Sequence, residues 1–120
     1  MADRPRADLV ERHLPLSEPV FQILLSLADQ ALHGYAIIQD VRVRTDGEVD
    51  LTASTLYAAI KRLLDGELIK EIKLRLPGDD PRRRYYQITP AGLDVARLEA
   101  ARLERAVRMA RQKRLTPRKA

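Results

Sequence analysis

Residues 51 to 69 (LTASTLYAAIKRLLDGELI) repeat apolar side chains at the spacing of an amphipathic helix. The apolar side of this helix carries Leu56, Ala59, Ile60 and Leu63. The opposite side carries Ser54, Ala58, Lys61 and Asp65, with Tyr57 and Arg62 at its margins. A short helix with hydroxyls, one Tyr and two cations on its outer face can enter a DNA major groove. A surface helix with a solvated polar side has the same pattern, so this helix alone leaves both interpretations open.

Two helices are predicted before this one. Ser17-Glu18-Pro19 provides a hydroxyl N-cap, an acid in the first turn, and Pro where no intrahelical N–H is needed. The first helix is therefore expected over Glu18–Gln30. His33-Gly34 interrupts the periodicity, and a second helix follows through Val41. Thr52 is the expected N-cap of the third helix.

A β-hairpin is predicted after the third helix. Ile69–Leu76 and Arg83–Thr89 alternate at a period of two and flank the turn sequence Pro77–Pro81. This arrangement predicts two strands with arginines at the tip of the hairpin. Glu48–Leu51, which precedes the third helix, is long enough only for an isolated strand.

A long last helix is predicted over Pro90–Lys113, with Thr89 as its N-cap and a length of about 35 Å. Its apolar residues repeat at heptad spacing over nearly three heptads. This stripe consists of Leu93, Ala96, Ala100, Leu103, Val107 and Ala110. The stripe could pack on its own domain, but a helix of this length extends beyond a small core. A twofold partner that covers the stripe is therefore expected.

The composition fits one compact domain of 120 residues with an ordinary apolar content of 45%. Only one Phe, four Tyr and no Trp are present, so the core must consist mainly of aliphatic side chains. Without cysteine, neither disulfides nor thiolate metal sites are expected. No apolar run is long enough to span a membrane, and a cytoplasmic location is the default expectation.

The charge is distributed unevenly along the chain. The net charge is +5, but residues 18–50 carry six acidic and only two basic side chains. Residues 91–120 carry nine basic and three acidic side chains. This asymmetry indicates a face that meets a polyanion, either nucleic acid or an anionic membrane surface.

The predicted order is helix, helix, short strand, helix, hairpin and long helix. Three helices followed by a β-hairpin make a winged helix-turn-helix. The fold class is therefore α+β, mostly α, with a long C-terminal dimerisation helix. The predicted divisions are a flexible segment 1–16, a DNA-binding domain 17–89, the dimerisation helix 90–114 and a basic tail 115–120. In such a fold the third helix enters the major groove, while the hairpin lies along the backbone or minor groove. The two elements predicted to touch DNA are those that carry outward cations: Lys61 and Arg62 on the third helix, and Arg82, Arg83 and Arg84 on the hairpin.

Three stretches of the chain resemble the PadR family of bacterial transcriptional regulators. They are FQILLSLADQALHGYAIIQDV, STLYAAIKRLLDGELI and RRRYYQITPAGL. The most specific parts are His33-Gly34-Tyr35 and Leu56-Tyr57, and together they are a strong signature. The resemblance covers about Ser17 to Arg111, and the single C-terminal helix is similar to that of the short subtype.

The resemblance implies a homodimeric repressor that binds an inverted repeat in double-stranded DNA and is released by a small-molecule effector of unknown identity. It also implies that Ser54, Thr55, Tyr57 and Lys61 meet DNA on the recognition helix, and Arg82–Arg84 on the wing. The family usually has Gly just before the Leu-Ile that opens the wing. Here Glu67 occupies that position, and Gly66 precedes it. Some short members bind flat aromatic drugs through a tryptophan that this chain lacks, so that ligand class is not expected.

Other functions remain open at this stage. A winged helix can dock on a protein partner, or sense a small molecule without binding DNA specifically. No catalytic constellation is present, and two histidines without cysteine make a poor metal site, so neither an enzyme nor a cofactor is expected. Tyr57 could instead pack on the wing, and Arg82–Arg84 could simply be solvated. His33 is expected to cap or turn the chain, and Tyr35 to close the first helix pair.

Overall fold

The computed structural model describes residues 12–117, which form four helices and a three-stranded antiparallel sheet. In chain order these elements are α1 (Glu18–Leu27), β1 (Leu32–His33), α2 (Gly34–Arg44), α3 (Ala53–Asp65), β2 (Ile69–Ile72), β3 (Tyr85–Ile88) and α4 (Pro90–Gln112). The predicted flexible segment and basic tail lie partly outside the described residues. Within the first of them, Leu14 and Leu16 pack against the core. No helix in residues 12–117 is long and apolar enough to cross a membrane.

Hydroxyl N-caps start three of the helices, as the sequence predicts. The side-chain oxygens of Ser17, Thr52 and Thr89 each accept a hydrogen bond from the backbone N–H three residues later, at 3.4, 3.1 and 3.0 Å. Each cap satisfies an N–H that has no partner within its helix. Helix α1 ends at Leu27, three residues before the predicted end at Gln30.

The sheet has the order β1-β3-β2, and its outer strand β1 was not predicted. Leu32 and His33 pair with Tyr86 and Tyr85 of β3, so β1 depends on a partner far along the chain. The hairpin strands are shorter than predicted. The isolated strand predicted over Glu48–Leu51 is wrong, because this segment folds back on the end of α2. There the Val49 N–H donates to the Thr45 hydroxyl at 3.0 Å.

The core lies where α1, α2, α3, the sheet and the first turns of α4 meet. Its fully buried side chains are almost all aliphatic, as the scarcity of aromatic residues predicts. They include Ile23, Leu24, Leu27, Ile37, Val41, Leu56, Leu63 and Val95. The apolar side of α3 therefore faces inward, and its opposite side is left to solvent. This arrangement confirms the predicted α+β winged-helix fold.

The turn that joins α3 to β2 sets the angle of the wing. The Leu68 N–H bonds the Leu63 carbonyl at 2.9 Å, and the Glu67 N–H bonds the Leu64 carbonyl at 3.0 Å. This pair of bonds is a Schellman motif, whose left-handed position favours glycine. Here Glu67 holds that position with φ 59°, whereas Gly66 has φ −84°. The helix thus ends in the usual geometry for a Schellman motif, but with a strained non-glycine residue.

Helix α4 begins in close contact with the turn that precedes β2. A Cβ added to Gly92 would overlap the carbonyl oxygen of Leu68, so only glycine fits there. The Thr89 hydroxyl also donates to the Glu67 carbonyl at 2.8 Å. These contacts fix the start of α4 against the turn between recognition helix and wing.

Candidate nucleic-acid interface

Helix α3 separates its core-facing side from its outer side cleanly. Leu56, Ala59, Ile60 and Leu63 are buried. The predicted contact residues of this helix are all exposed: Ser54, Thr55, Tyr57, Lys61 and Arg62. The Thr52 cap hydroxyl donates to the Thr55 hydroxyl at 3.0 Å, which orients the Thr55 side chain at the start of the helix. The outer face therefore presents polar groups with no large aliphatic side chain between them.

A groove lies between the start of α2, the Tyr57 side of α3, and the wing. We call it the wing groove, and its volume is about 410 Å³. It is lined by His33, Gly34, Tyr35, Tyr57, Asp80, Arg82, Arg83, Arg84 and Tyr86. The structure thus brings Tyr57 of the recognition helix together with all three predicted wing arginines. Tyr57 is 54% exposed, so its ring forms a wall of the groove.

Gly34 allows Tyr57 to approach α2 closely. A Cβ added to Gly34 would lie 2.8 Å from the Tyr57 phenol oxygen and 3.2 Å from Leu56 Cδ2. Any larger residue at this position must displace the phenol. Gly34 is therefore needed to place Tyr57 at the wing groove, a role that sequence reasoning missed.

His33 caps α2, as predicted, and also contacts the wing. Its Nδ1 accepts a hydrogen bond from the Ala36 N–H at 3.2 Å, which requires the neutral ring. Burial, helped by the nearby Arg83 guanidinium, lowers the pKa of His33, while Asp79 opposes the shift. The imidazole meets the Tyr85 ring edge-on, with 5.3 Å between centroids.

Asp79 anchors the wing loop from within. Its carboxylate accepts a 2.8 Å hydrogen bond from the Tyr85 hydroxyl and pairs with the Arg83 guanidinium at 3.0 Å. The Tyr85 hydrogen bond is the main reason that the pKa of Asp79 is lowered. In the sequence Asp79 was only part of a turn signal. In the structure it links the wing loop to β3 and, through Tyr85, to the start of α2.

Four of the predicted contact cations have an acidic neighbour. Lys61 lies 3.4 Å from Asp65. The three wing pairs are Arg82 with Asp80 at 3.4 Å, Arg83 with Asp79 at 3.0 Å and Arg84 with Glu71 at 3.6 Å. The pairs of Lys61, Arg82 and Arg84 are exposed, and such pairs contribute at most about 1 kcal/mol, so a phosphate can take the place of the carboxylate at little cost. The pair of Arg83 differs, because the Asp79 side chain is only 9% exposed and holds the wing loop. Among the described residues Arg62 has no such partner.

Two predictions about individual residues need correction. Arg82–Arg84 are not at the tip of the hairpin: Arg82 lies in the second turn of the loop, and Arg83 and Arg84 follow it directly before β3, which brings them back toward α2. Tyr35 does not close the first helix pair, because it is 62% exposed. Arg62 lines a separate groove with Arg12 and His13, and its contact with DNA stays a prediction.

The heptad stripe of α4 divides into two parts. Leu93 and Ala96 are half-buried, and Ala96 packs on the core of its own domain. After Glu99 no residue of α4 is buried, and Leu103 and Val107 are 38% and 43% exposed. The second half of the helix therefore extends beyond the core with its apolar stripe uncovered. Residues 12–117 contain no cluster of histidine and acidic side chains that could hold a metal ion.

Comparisons with known proteins agree with this geometry. Residues 23–98 match the model of the transcriptional regulator PadR-like family. An uncharacterised protein of Lysinibacillus sphaericus is 32% identical over 87 residues, which cover 72% of this chain and 74% of that protein.

Two solved structures resemble the whole fold. A transcriptional regulator from Clostridium thermocellum has a TM-score of 0.67 and 27% identity, covering 88% of this chain and 93% of its own. A PadR family transcription regulator from Clostridium difficile has a TM-score of 0.69 and 26% identity, covering 80% of this chain and 97% of its own. The family comprises transcription regulators rather than enzymes. The chain belongs to the PadR-like family of transcriptional regulators.

Proposed function

We propose that the protein is a homodimeric repressor that binds an inverted repeat in double-stranded DNA. Each protomer places α3 in a major groove and the wing arginines against the DNA backbone or minor groove. The observation that carries the proposal is the wing groove, which joins Tyr57 of α3 to Arg82–Arg84 on one exposed surface. In the sequence, Tyr57 lies 25 or more positions from these arginines, so the fold brings them together.

The outer face of α3 suits a major groove. Ser54 and Thr55 supply hydroxyls at the start of the helix, where contacts to base edges are usually made. Lys61 is a flexible point charge, so it serves a phosphate better than a base edge. These side chains are exposed, and the buried opposite side holds the helix in a fixed orientation.

The wing suits the sugar-phosphate backbone or a narrow minor groove. Arg82 and Arg84 have side chains that are 90% and 75% exposed, while Arg83 is held by Asp79. DNA phosphates compete with the carboxylates for these guanidiniums and release counterions as they bind. Binding should therefore weaken steeply as the salt concentration rises.

A second copy of the chain fits the uncovered stripe on α4. The proposed contacts are Leu93, Ala96, Ala100, Leu103, Val107 and Ala110. A twofold axis through this stripe removes the exposed apolar side chains from water and sets two α3 helices on one DNA face. Half-sites would then lie about one helical turn, ~34 Å, apart. A small-molecule effector between the first and last helices would release DNA by changing this spacing.

Lys61→Ala tests the recognition-helix assignment. We expect lower affinity for duplex DNA and a salt dependence that is less steep by about one phosphate contact per protomer. Lys113→Ala is the matched control, since it removes an exposed lysine at the end of α4 and should leave both quantities unchanged. An unchanged affinity and salt slope in Lys61→Ala would contradict the assignment.

The double variant Leu103→Asp, Val107→Asp tests the dimer. Because both side chains are exposed in one protomer, the monomer should still fold while its association is lost. Sedimentation should show dimers for the wild type and monomers for the variant. Ala101→Asp adds a charge to the same helix away from the stripe and should remain dimeric. A dimeric double variant would contradict the proposed interface.

A further inference from the structure

Tyr35 is a large, exposed side chain whose exposure no role in the fold explains. It lies in the first turn of α2, its side chain is 62% exposed, and it lines the wing groove opposite Tyr57. The His33 and Gly34 positions beside it have clear structural roles, since one caps α2 and the other makes room for Tyr57. Neither role explains why a tyrosine follows them.

The phenol of Tyr35 is held in place from its own helix. Gln39, one turn later, donates its side-chain amide N–H to the Tyr35 hydroxyl oxygen at 2.9 Å. A phenol can accept one hydrogen bond and donate another. Because its oxygen accepts from Gln39, its own proton remains available to an acceptor outside the protein. Both side chains are exposed, so an external acceptor can reach them.

The surroundings of Tyr35 favour an anionic acceptor. Arg82, Arg83 and Arg84 line the same groove, and the Asp80 carboxylate that also lines it pairs with Arg82 at 3.4 Å, so basic groups outnumber acidic ones there. The first turn of α2 also carries the positive end of its helix dipole, which adds to the positive potential around the phenol. A phosphate oxygen only accepts hydrogen bonds, and tyrosine hydroxyls are regular donors to DNA phosphates. The chemistry of the groove therefore matches one backbone phosphate.

We propose that Tyr35, oriented by Gln39, is a further DNA contact that donates its hydroxyl hydrogen bond to a backbone phosphate in the wing groove. This inference rests on the proposed function, because it requires DNA to lie along the recognition helix and the wing. It extends the interface from those two elements to the start of α2. The contact positions the protein on DNA and carries no base preference.

Tyr35→Phe tests the proposal, since it removes only the hydroxyl. The dissociation constant of the full chain is measured on a random-sequence duplex across a range of salt concentrations. We expect affinity to fall by about three- to tenfold, the effect of losing one hydrogen bond of ordinary strength at an exposed site. The salt slope should stay unchanged because a neutral donor releases no counterion. The melting temperature should stay unchanged because the side chain is exposed.

Two more variants sharpen the test. Gln39→Glu replaces the amide with a carboxylate that accepts the Tyr35 proton and repels phosphate, so it should weaken binding at least as much as Tyr35→Phe. Val43→Ala is the control: Val43 lies on the same helix, is 79% exposed and does not line the wing groove, so the affinity of this variant should equal that of the wild type. Equal affinities for wild type and Tyr35→Phe would overturn the contact alone. Failure of the wild type to bind any duplex would overturn both the contact and the proposed function.

Discussion

Gly34→Ala should weaken DNA binding while leaving the fold intact. The new methyl group would stand 2.8 Å from the Tyr57 phenol oxygen, and an ordinary contact begins near 3.4 Å. The phenol must therefore move by about 0.6 Å or swing away from the start of α2. Tyr57 is 54% exposed, so its ring can move into solvent without opening the core.

The size of the changes in stability and affinity depends on which side chains must move to admit the new methyl group. The ring of Tyr57 is the flexible end of a side chain, and Leu56 Cδ2 at 3.2 Å needs to yield only a few tenths of an ångström. Replacing Gly by Ala in a helix gains up to about 1 kcal/mol, which offsets this crowding, so the free energy of unfolding should change by less than ~1 kcal/mol. A misplaced phenol loses most of one hydrogen bond to phosphate, or about 1 kcal/mol, which is roughly fivefold in the dissociation constant.

A double-mutant cycle isolates this effect. Dissociation constants for a duplex are measured for Gly34→Ala, Tyr57→Ala and the double variant, with melting temperatures for each. In the Tyr57→Ala background there is no phenol to displace, so Gly34→Ala should have no further effect on affinity. An equal loss of affinity in both backgrounds would refute the reasoning, as would wild-type affinity of Gly34→Ala itself.

Three further predictions concern stability. Gly92→Ala should destabilise the protein by ~3 kcal/mol or more, or prevent folding, because its Cβ would overlap the Leu68 carbonyl oxygen; circular dichroism on heating measures this. Glu67→Gly should raise the free energy of unfolding in urea by about 0.5 kcal/mol, because glycine relieves the strain at φ 59° at some entropic cost. Glu99→Gln should cost about 1 to 3 kcal/mol at neutral pH, because the buried Glu99 carboxylate accepts two 2.8 Å hydrogen bonds from Arg102. These bonds lower the pKa of Glu99 in the folded protein. The ionised Glu99 therefore stabilises the fold fully above its ordinary pKa of 4.5, and this stabilisation is lost as the pH falls through the lowered pKa. The difference between wild type and Glu99→Gln should therefore shrink in acid, and a pH-independent difference would contradict the ion pair.

Local sequence signals predicted the helices well. Hydroxyl caps at Ser17, Thr52 and Thr89 act through backbone groups three residues away, so their effect is visible within a short window of sequence. The inward face of α3 was equally predictable, because helical periodicity decides which residues share a side.

Features that depend on distant partners could not be predicted in this way. Strand β1 has only two residues and exists because β3 pairs with it. The arginines turn back toward α2 because Asp79 and two successive turns fold the loop, an arrangement that the Pro-Gly-Asp-Asp-Pro signal does not encode. The exposure of Tyr35 likewise follows from the way α2 packs, since a tyrosine in the first turn of a helix can face either way.

The Glu67 position shows a limit of prediction from a family motif. The family usually has glycine there, and the sequence alone does not say how a glutamate fits the end of the helix. Backbone hydrogen bonds from Glu67 and Leu68 preserve the turn despite the strain. A departure from the family motif therefore leaves the Schellman turn in place.

Selection of bound sequences from random duplex DNA, at about 150 mM salt, tests the central claim most directly. The proposed function predicts enrichment of an inverted repeat, with half-sites about one helical turn apart. Salt-sensitive binding to bulk DNA without any enriched sequence would contradict specific recognition by α3 and the wing.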